Sequence, residues 1–159
     1  GTESMKNMDY DKQIEVLNDL IEACRDSQYG FKEAADNVKS ENLKAFFHEV
    51  SNERAVYVVS LQRQVASLGG DPEKKGSAAG AVRRFWMNIK GTLTGKDEHV
   101  ILGEAEKAED FLTKAYREAL PKLRPANRLE VEPHYQAINL VHDKVRRLRD
   151  ARSATAGRR

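Results

Sequence analysis

Two short stretches of the chain each carry half of a metal-binding motif. Residues 53–56 read ERAV, with Glu53 but no histidine three residues later, and residues 139–142 read NLVH, with His142 but no glutamate three residues earlier. In four-helix di-metal proteins, two helices each supply a complete Glu-x-x-His pair, because carboxylates and imidazoles together enclose and neutralise the cations. The two half motifs are consistent with a metal site, the remnant of one, or a coincidence within a helical bundle.

No other constellation of residues indicates catalysis. Cys24 has no histidine nearby in the sequence and lies on an apolar helical stripe, where a buried thiol is usually inert. The GSAAG stretch at residues 76–80 lacks the spacing of the known phosphate-binding loops. The sequence therefore favours a protein that is not an enzyme, although the two half motifs leave open whether it is one.

Composition and length set the broad class. The 159 residues are 40% hydrophobic and 33% charged, which is typical of one soluble helical domain with a solvated outer surface. The net charge of +2 is too small to indicate nucleic-acid binding, and a single cysteine excludes an internal disulfide and suits the reducing cytoplasm. No apolar run approaches the roughly 20 residues of a membrane span.

Apolar residues recur at helical spacing over four long segments. These predict helices from Asp11 to Val38, from Ser40 to Leu68, from Glu98 to Leu123 and from Leu129 to Asp150. Short connections within each pair predict two antiparallel hairpins, and the long crossover between the pairs contains a short predicted helix. This arrangement predicts an all-α fold, a ferritin-like four-helix bundle over residues 9–150. Residues 1–8 are expected to be a flexible remnant of expression, and residues 151–159 a disordered basic tail.

Four stretches carry a family resemblance. LNDLIEACRDSQYGFKEAADNV, LGGDPEKKGSAAGAVRRFWMNIKG, ILGEAEKAEDFLTKAYREAL and HDKVRRLRD begin at residues 17, 68, 101 and 142. Together they resemble an uncharacterised bacterial family of four-helix-bundle proteins in the ferritin-like, rubrerythrin-related superfamily, from about Tyr10 to Asp150. The resemblance implies a fold and brings no known reaction.

The resemblance also implies a set of candidate metal ligands. Rubrerythrin-like relatives have six metal-ligand positions. In this sequence the resemblance implies suitable ligands at four of them, namely Glu22, Glu53, Glu109 and His142. The other two positions hold Val56, which cannot bind a metal, and Asn139, which is a weak neutral ligand. Any bound metal is expected to be iron, manganese or zinc, whereas the loss of two ligands favours no cofactor.

Arg54 supports the interpretation that the bundle binds no metal ion at its centre. It falls within about 40° of Val50 on a helical wheel, so an inward guanidinium would pair with Glu109, Glu106 or Glu22 and take the metal's electrostatic place. Gln28, Glu106 and Asn139 are predicted to join Arg54 in a buried polar cluster. The first hypothesis is thus a non-catalytic binding or structural protein, associated with stress through its family only. The second is a di-metal or single-metal carboxylate protein of the iron-handling, oxidase or peroxidase kind.

Two further features concern binding partners, although the sequence identifies none. Phe85 and Trp86 in the crossover are candidates for an interaction surface that would favour a homodimer, although the aromatic pair is more readily explained as a cover for one side of the bundle. The arginine-rich C-terminal run would add salt-dependent contacts with nucleic acid, but the sequence does not favour that function.

Overall fold

The computed structural model describes residues 2–74, 86 and 97–157, with the side chains of residues 10–74, 86 and 97–152. Over these ranges the protein is all-helical, with four long helices and no strand, which confirms the predicted all-α class. The helices are α1 (Thr2–Asp36), α2 (Glu41–Ser67), α3 (Glu98–Ala119) and α4 (Pro125–Gly157). A short 3₁₀ helix, Leu120–Lys122, follows α3.

Local signals set several of the helix ends. The Ser40 hydroxyl accepts a hydrogen bond from the backbone N–H of Leu43 at 3.2 Å, and Asp97 caps α3 through the N–H of His99 at 2.9 Å. After α2 the chain turns at Gly69, whose φ of 84° favours a residue without a Cβ. Pro125 begins α4, where its missing N–H leaves no helical hydrogen bond unmade.

The four helices form two antiparallel hairpins that pack into a bundle. Four residues separate α1 from α2, and the 3₁₀ helix and its two following residues separate α3 from α4. α1 packs against α2 and α3, α3 packs against α4, and α2 touches α4. Two groups of buried apolar side chains fill the interior, one around Phe31, Phe47 and Leu102 and the other around Leu17, Leu61 and Ile138.

Helices continue into both terminal segments, and the predicted domain limits stay predictions. α1 begins at Thr2, within the segment predicted to be flexible, and α4 continues to Gly157, through residues predicted to be disordered. A segment without apolar periodicity can still be helical, because periodicity indicates that one face is buried and not that a helix forms. Alanine and arginine, which are strong helix formers, favour the helix after Asp150.

Trp86 belongs to the core, while an interaction surface that involves Phe85 stays a prediction. Its side chain is buried and meets the ring of Phe31 edge-on, with the ring centroids 5.6 Å apart. A Cβ atom at Gly30 would overlap the indole ring, so this glycine lets the tryptophan approach the backbone of α1. Phe85 and the rest of the predicted crossover helix lie outside the described residues.

No helix in the described part of the chain has the length and apolar character that a membrane span requires.

Candidate functional site

Arg54 lies at the centre of the bundle. It continues the buried stripe of α2 four residues after Val50 and seven before Leu61, and its side chain is 0% exposed. Its Nη1 and Nη2 donate hydrogen bonds to the two carboxylate oxygens of Glu109 on α3, at 3.1 and 2.8 Å. The guanidinium carbon also lies 5.6 Å from the ring centroid of Phe31. A bidentate ion pair therefore connects the two hairpins inside the protein.

Charge and burial act against each other in this ion pair. Burial lowers the pKa of Arg54, but the charge and hydrogen bonds of Glu109 outweigh that effect and raise it above its usual range. Burial raises the pKa of Glu109, and the Arg54 guanidinium opposes that rise. Because an arginine stays protonated in proteins, its charge favours the ionised form of Glu109 in this buried region.

A row of polar side chains in contact with one another crosses the bundle beside the ion pair. The Cys24 Sγ lies 3.1 Å from the Tyr116 hydroxyl, which in turn lies 3.4 Å from Nδ1 of His134. The His134 ring stacks on Tyr57 with centroids 4.2 Å apart. Side chains from all four helices thus meet in one region, since Cys24 lies on α1, Tyr57 on α2, Tyr116 on α3 and His134 on α4.

Glu53 lies at one edge of both the Arg54–Glu109 ion pair and this row of polar side chains. Its Oε1 lies 3.6 Å from Nε of Arg54, and burial together with the Glu53 carboxylate raises the pKa of Tyr57. We refer to the resulting set as the central polar cluster, which consists of Cys24, Glu53, Arg54, Tyr57, Glu109, Tyr116 and His134. Burial keeps its neutral members uncharged: it raises the pKa of Cys24 to about 11 and lowers the pKa of His134 to about 4.

The structure does not bring the four predicted metal ligands together. Glu109 and Glu53 flank Arg54, whereas Glu22 lines a separate cavity beside the segment that follows α2. His142 lies at the outer edge between α3 and α4, where its Nε2 is 2.6 Å from Asp110 and 4.0 Å from Glu106. Among the described residues there is no group of three or more His, Cys, Asp and Glu side chains placed to hold a metal ion.

The other predicted members of the polar cluster lie elsewhere. Glu106 pairs with Arg149 near the surface, and Asn139 hydrogen-bonds Tyr135. Gln28 contributes only its backbone carbonyl, which accepts from the Ser51 hydroxyl at 2.8 Å. Of the predicted cluster, only Arg54 lies at the centre.

The second ligand position of the Glu-x-x-His register carried over to α2 points away from the core. Val56, which takes the place of the missing histidine, is 63% exposed. It is two residues, or about 200°, around the helix from Arg54, so the two side chains lie on opposite faces. The inward positions on this turn belong to Arg54 and Tyr57.

Sequence reasoning misses four members of the central polar cluster as polar groups, namely Cys24, Tyr57, Tyr116 and His134. Tyr57 and Tyr116 lie on apolar helical stripes and Cys24 is expected to be an inert thiol. His134 lies three residues after Val131 and four before Ile138, both of which are fully buried. That spacing is the signal that places its ring inside the bundle.

Comparison with known proteins places the chain in a family. Residues 12–122 match a domain of unknown function, DUF2383. The chain belongs to this family. The DUF2383 match covers most of α1 and all of α2 and α3, so it includes both partners of the Arg54–Glu109 ion pair and ends before α4 and His134. A search of curated proteins finds no match.

Proposed function

We propose that this protein is a non-catalytic binding or structural protein, built as a ferritin-like bundle whose centre is held by an ion pair instead of by metal ions. The observation that carries the proposal is the fully buried contact between Arg54 and both carboxylate oxygens of Glu109.

The geometry of Glu109 does not suit a metal ligand. A carboxylate binds a hard cation through the same oxygens that here accept the two guanidinium hydrogen bonds. A cation placed on Glu109 would also lie beside a permanent positive charge in a region of low dielectric, where repulsion is strong. The arginine therefore neutralises the buried carboxylate that a metal would otherwise neutralise.

The connectivity supports the ferritin-like assignment. Two antiparallel hairpins are joined by one long connection, from Leu68 to Asp97, as expected for bundles of this class. The resemblance of the sequence to that superfamily points the same way. An exposed aromatic patch at Trp86 would have favoured a homodimer. Because Trp86 is buried, this residue does not support one.

Metal analysis tests the proposal directly. The chain is purified without a metal-affinity tag, its iron, manganese and zinc contents are measured by mass spectrometry, and its thermal unfolding is followed with and without a chelator. We expect metal far below one ion per chain and an unfolding midpoint that the chelator does not change.

Stoichiometric metal would contradict the proposal if it were lost in Glu53→Ala and Glu109→Ala. Glu132→Ala, which removes an exposed carboxylate from α4, is the matched control and must leave the metal content unchanged. Stoichiometric metal lost in those two variants but not in the control would support the alternative metal-binding function.

A further inference from the structure

Four large aliphatic side chains lie exposed on the outer faces of α2 and α4, two helices that contact each other. Val56 and Val59 on α2 are 63% and 65% exposed, and Leu129 and Leu140 on α4 are 78% and 70% exposed. These faces lie outside the central polar cluster. The inference below therefore goes beyond the proposed function and does not rest on it.

The exposed valines belong to a regular stripe along α2. Its exposed side chains follow one another at steps of four, three and four residues, the spacing of a coiled-coil seam, in the order Asn52, Val56, Val59 and Arg63. Valine is a poorer helix former than alanine, by up to about 0.7 kcal/mol per residue, and a side chain this exposed gains little from burial. Such a stripe indicates that a second helix packs against this face.

The valines and the leucines are centred on one level of the bundle. The rings of Tyr57 on α2 and His134 on α4 stack with their centroids 4.2 Å apart, which places these two residues side by side. Tyr57 lies between the two valines, and His134 lies near the midpoint between the two leucines. A single two-fold axis at this level, perpendicular to the helices, therefore exchanges the members of both pairs.

The charges that flank the valines suit a second copy of the same chain. Glu49 lies one turn before Asn52, and both side chains are exposed. If two α2 helices pack antiparallel with each Val56 against the partner's Val59, Arg63 lies between the partner's Asn52 and the partner's Glu49. Arg63 also pairs with Glu130 of its own chain, but its side chain is 60% exposed and so remains open to a partner. Opposite charges thus meet at both ends of the valine contact.

We propose that a second copy of this chain docks on this surface and forms a two-fold symmetric dimer. In it, α2 packs antiparallel to the partner's α2, and α4 packs antiparallel to the partner's α4. The axis at the level of the stacked rings places Val56 against the partner's Val59 and Leu129 against the partner's Leu140. A two-fold interface requires a surface that is complementary to itself, and these side chains meet that condition.

Sedimentation equilibrium of the natural protein, from roughly 5 to 500 µM, tests the proposal. We expect a reversible equilibrium between monomer and dimer. Val59→Glu and Leu140→Glu each place a carboxylate in the apolar contact, so we expect each to weaken dimerisation by at least about tenfold. Val100→Glu is the matched control, because it makes the same change at a valine that is 42% exposed on α3, and it should dimerise normally.

Cysteine cross-linking tests the antiparallel register. Chains that carry Leu129→Cys and chains that carry Leu140→Cys are mixed and oxidised, and we expect mixed disulfide-linked dimers because the two positions face each other. Leu129→Cys alone should cross-link poorly, since its two copies would be separated by 11 residues along the helices, or roughly 16 Å. Cys24 is buried and does not compete.

Three results would overturn this assignment. They are a protein that stays monomeric up to roughly 500 µM, a dimer that Val59→Glu and Leu140→Glu leave intact, and cross-linking of Leu129→Cys that is as efficient alone as in the mixture. All of these substitutions change exposed side chains, and thermal unfolding of each variant checks that it is folded. Metal bound at the central polar cluster would contradict the proposed function and leave this test unaffected.

Discussion

At the scale of single residues, several buried polar groups in this bundle are partners of one another. Tyr116 illustrates the point, because its one hydroxyl lies between the Cys24 thiol and the His134 ring. A buried hydroxyl without such partners would lower stability by about 1–3 kcal/mol. The same burial that makes the hydrogen bonds necessary also holds the thiol and the imidazole in their neutral forms.

His134 makes stability dependent on pH. Its pKa is lowered by burial from 6.5 to about 4 in the folded protein, so the unfolded chain takes up the proton first as pH falls. Its contribution is complete above pH 6.5 and is lost progressively towards pH 4, by up to about 3 kcal/mol. We expect His134→Phe, which keeps a ring against Tyr57, to lose less stability than the natural protein over this range.

Urea unfolding at a series of pH values measures this difference. His48→Gln, at an exposed position on α2, is the control and should follow the natural protein. Parallel pH profiles for His134→Phe and the natural protein would show that His134 is not the group responsible.

At the scale of the elements, the close contact between α1 and Trp86 depends on one glycine. A glycine inside a helix costs about 1 kcal/mol relative to alanine, so its presence in the middle of α1 calls for a compensating contact. The contact is the indole of Trp86, which occupies the space where a Cβ would project from residue 30. The packing gained by the large ring exceeds the helix propensity lost at a single position.

Gly30→Ala should therefore destabilise the protein by about 1–3 kcal/mol, as is usual when a methyl group is forced into a filled core. The matched control is Gly103→Ala on α3, where a new Cβ would meet only the Arg149 side chain, 3.8 Å away. That variant should gain up to about 1 kcal/mol from helix propensity. Denaturant unfolding followed by the fluorescence of the single tryptophan measures both changes. Equal effects from the two substitutions would contradict the assigned contact.

At the scale of the whole molecule, the ion pair between Arg54 and Glu109 joins the two hairpins. Removing one partner leaves a desolvated charge alone, which typically costs about 3–5 kcal/mol, whereas replacing both with apolar groups of similar size is often close to neutral. We expect Arg54→Met to be severely destabilising and Arg54→Met combined with Glu109→Leu to recover most of that loss.

An exposed ion pair between the same two hairpins gives the control. Arg63 on α2 pairs with Glu130 on α4, with side chains 60% and 41% exposed, so Arg63→Met should cost no more than about 1 kcal/mol. Urea unfolding of the natural protein, Arg54→Met, Glu109→Leu and the double variant measures the coupling energy between Arg54 and Glu109. Additive effects of the two central substitutions would mean that the pair does not act as a unit.

The sequence by itself determined the helices and their order. Periodic apolar residues, Ser40 as a cap and the turn at residues 69–72 are local signals, and they fix the inner helix limits within a few residues but not the outer ends of α1 and α4. It also indicated that Arg54 faces inward, because the spacing of Arg54 from Val50 and Leu61 is enough to place it on the buried face of α2.

Only the tertiary structure decided which groups meet. Glu22, Glu53, Glu109 and His142 are all compatible with one centre by residue type, yet small rotations of each helix send Glu22 to a side cavity and His142 to the outer edge. Those rotations are set by how the bulky side chains of four helices pack together, which no single helical wheel contains. For the same reason, the meeting of Cys24, Tyr116 and His134 from three different helices could not be derived from their spacing along the chain.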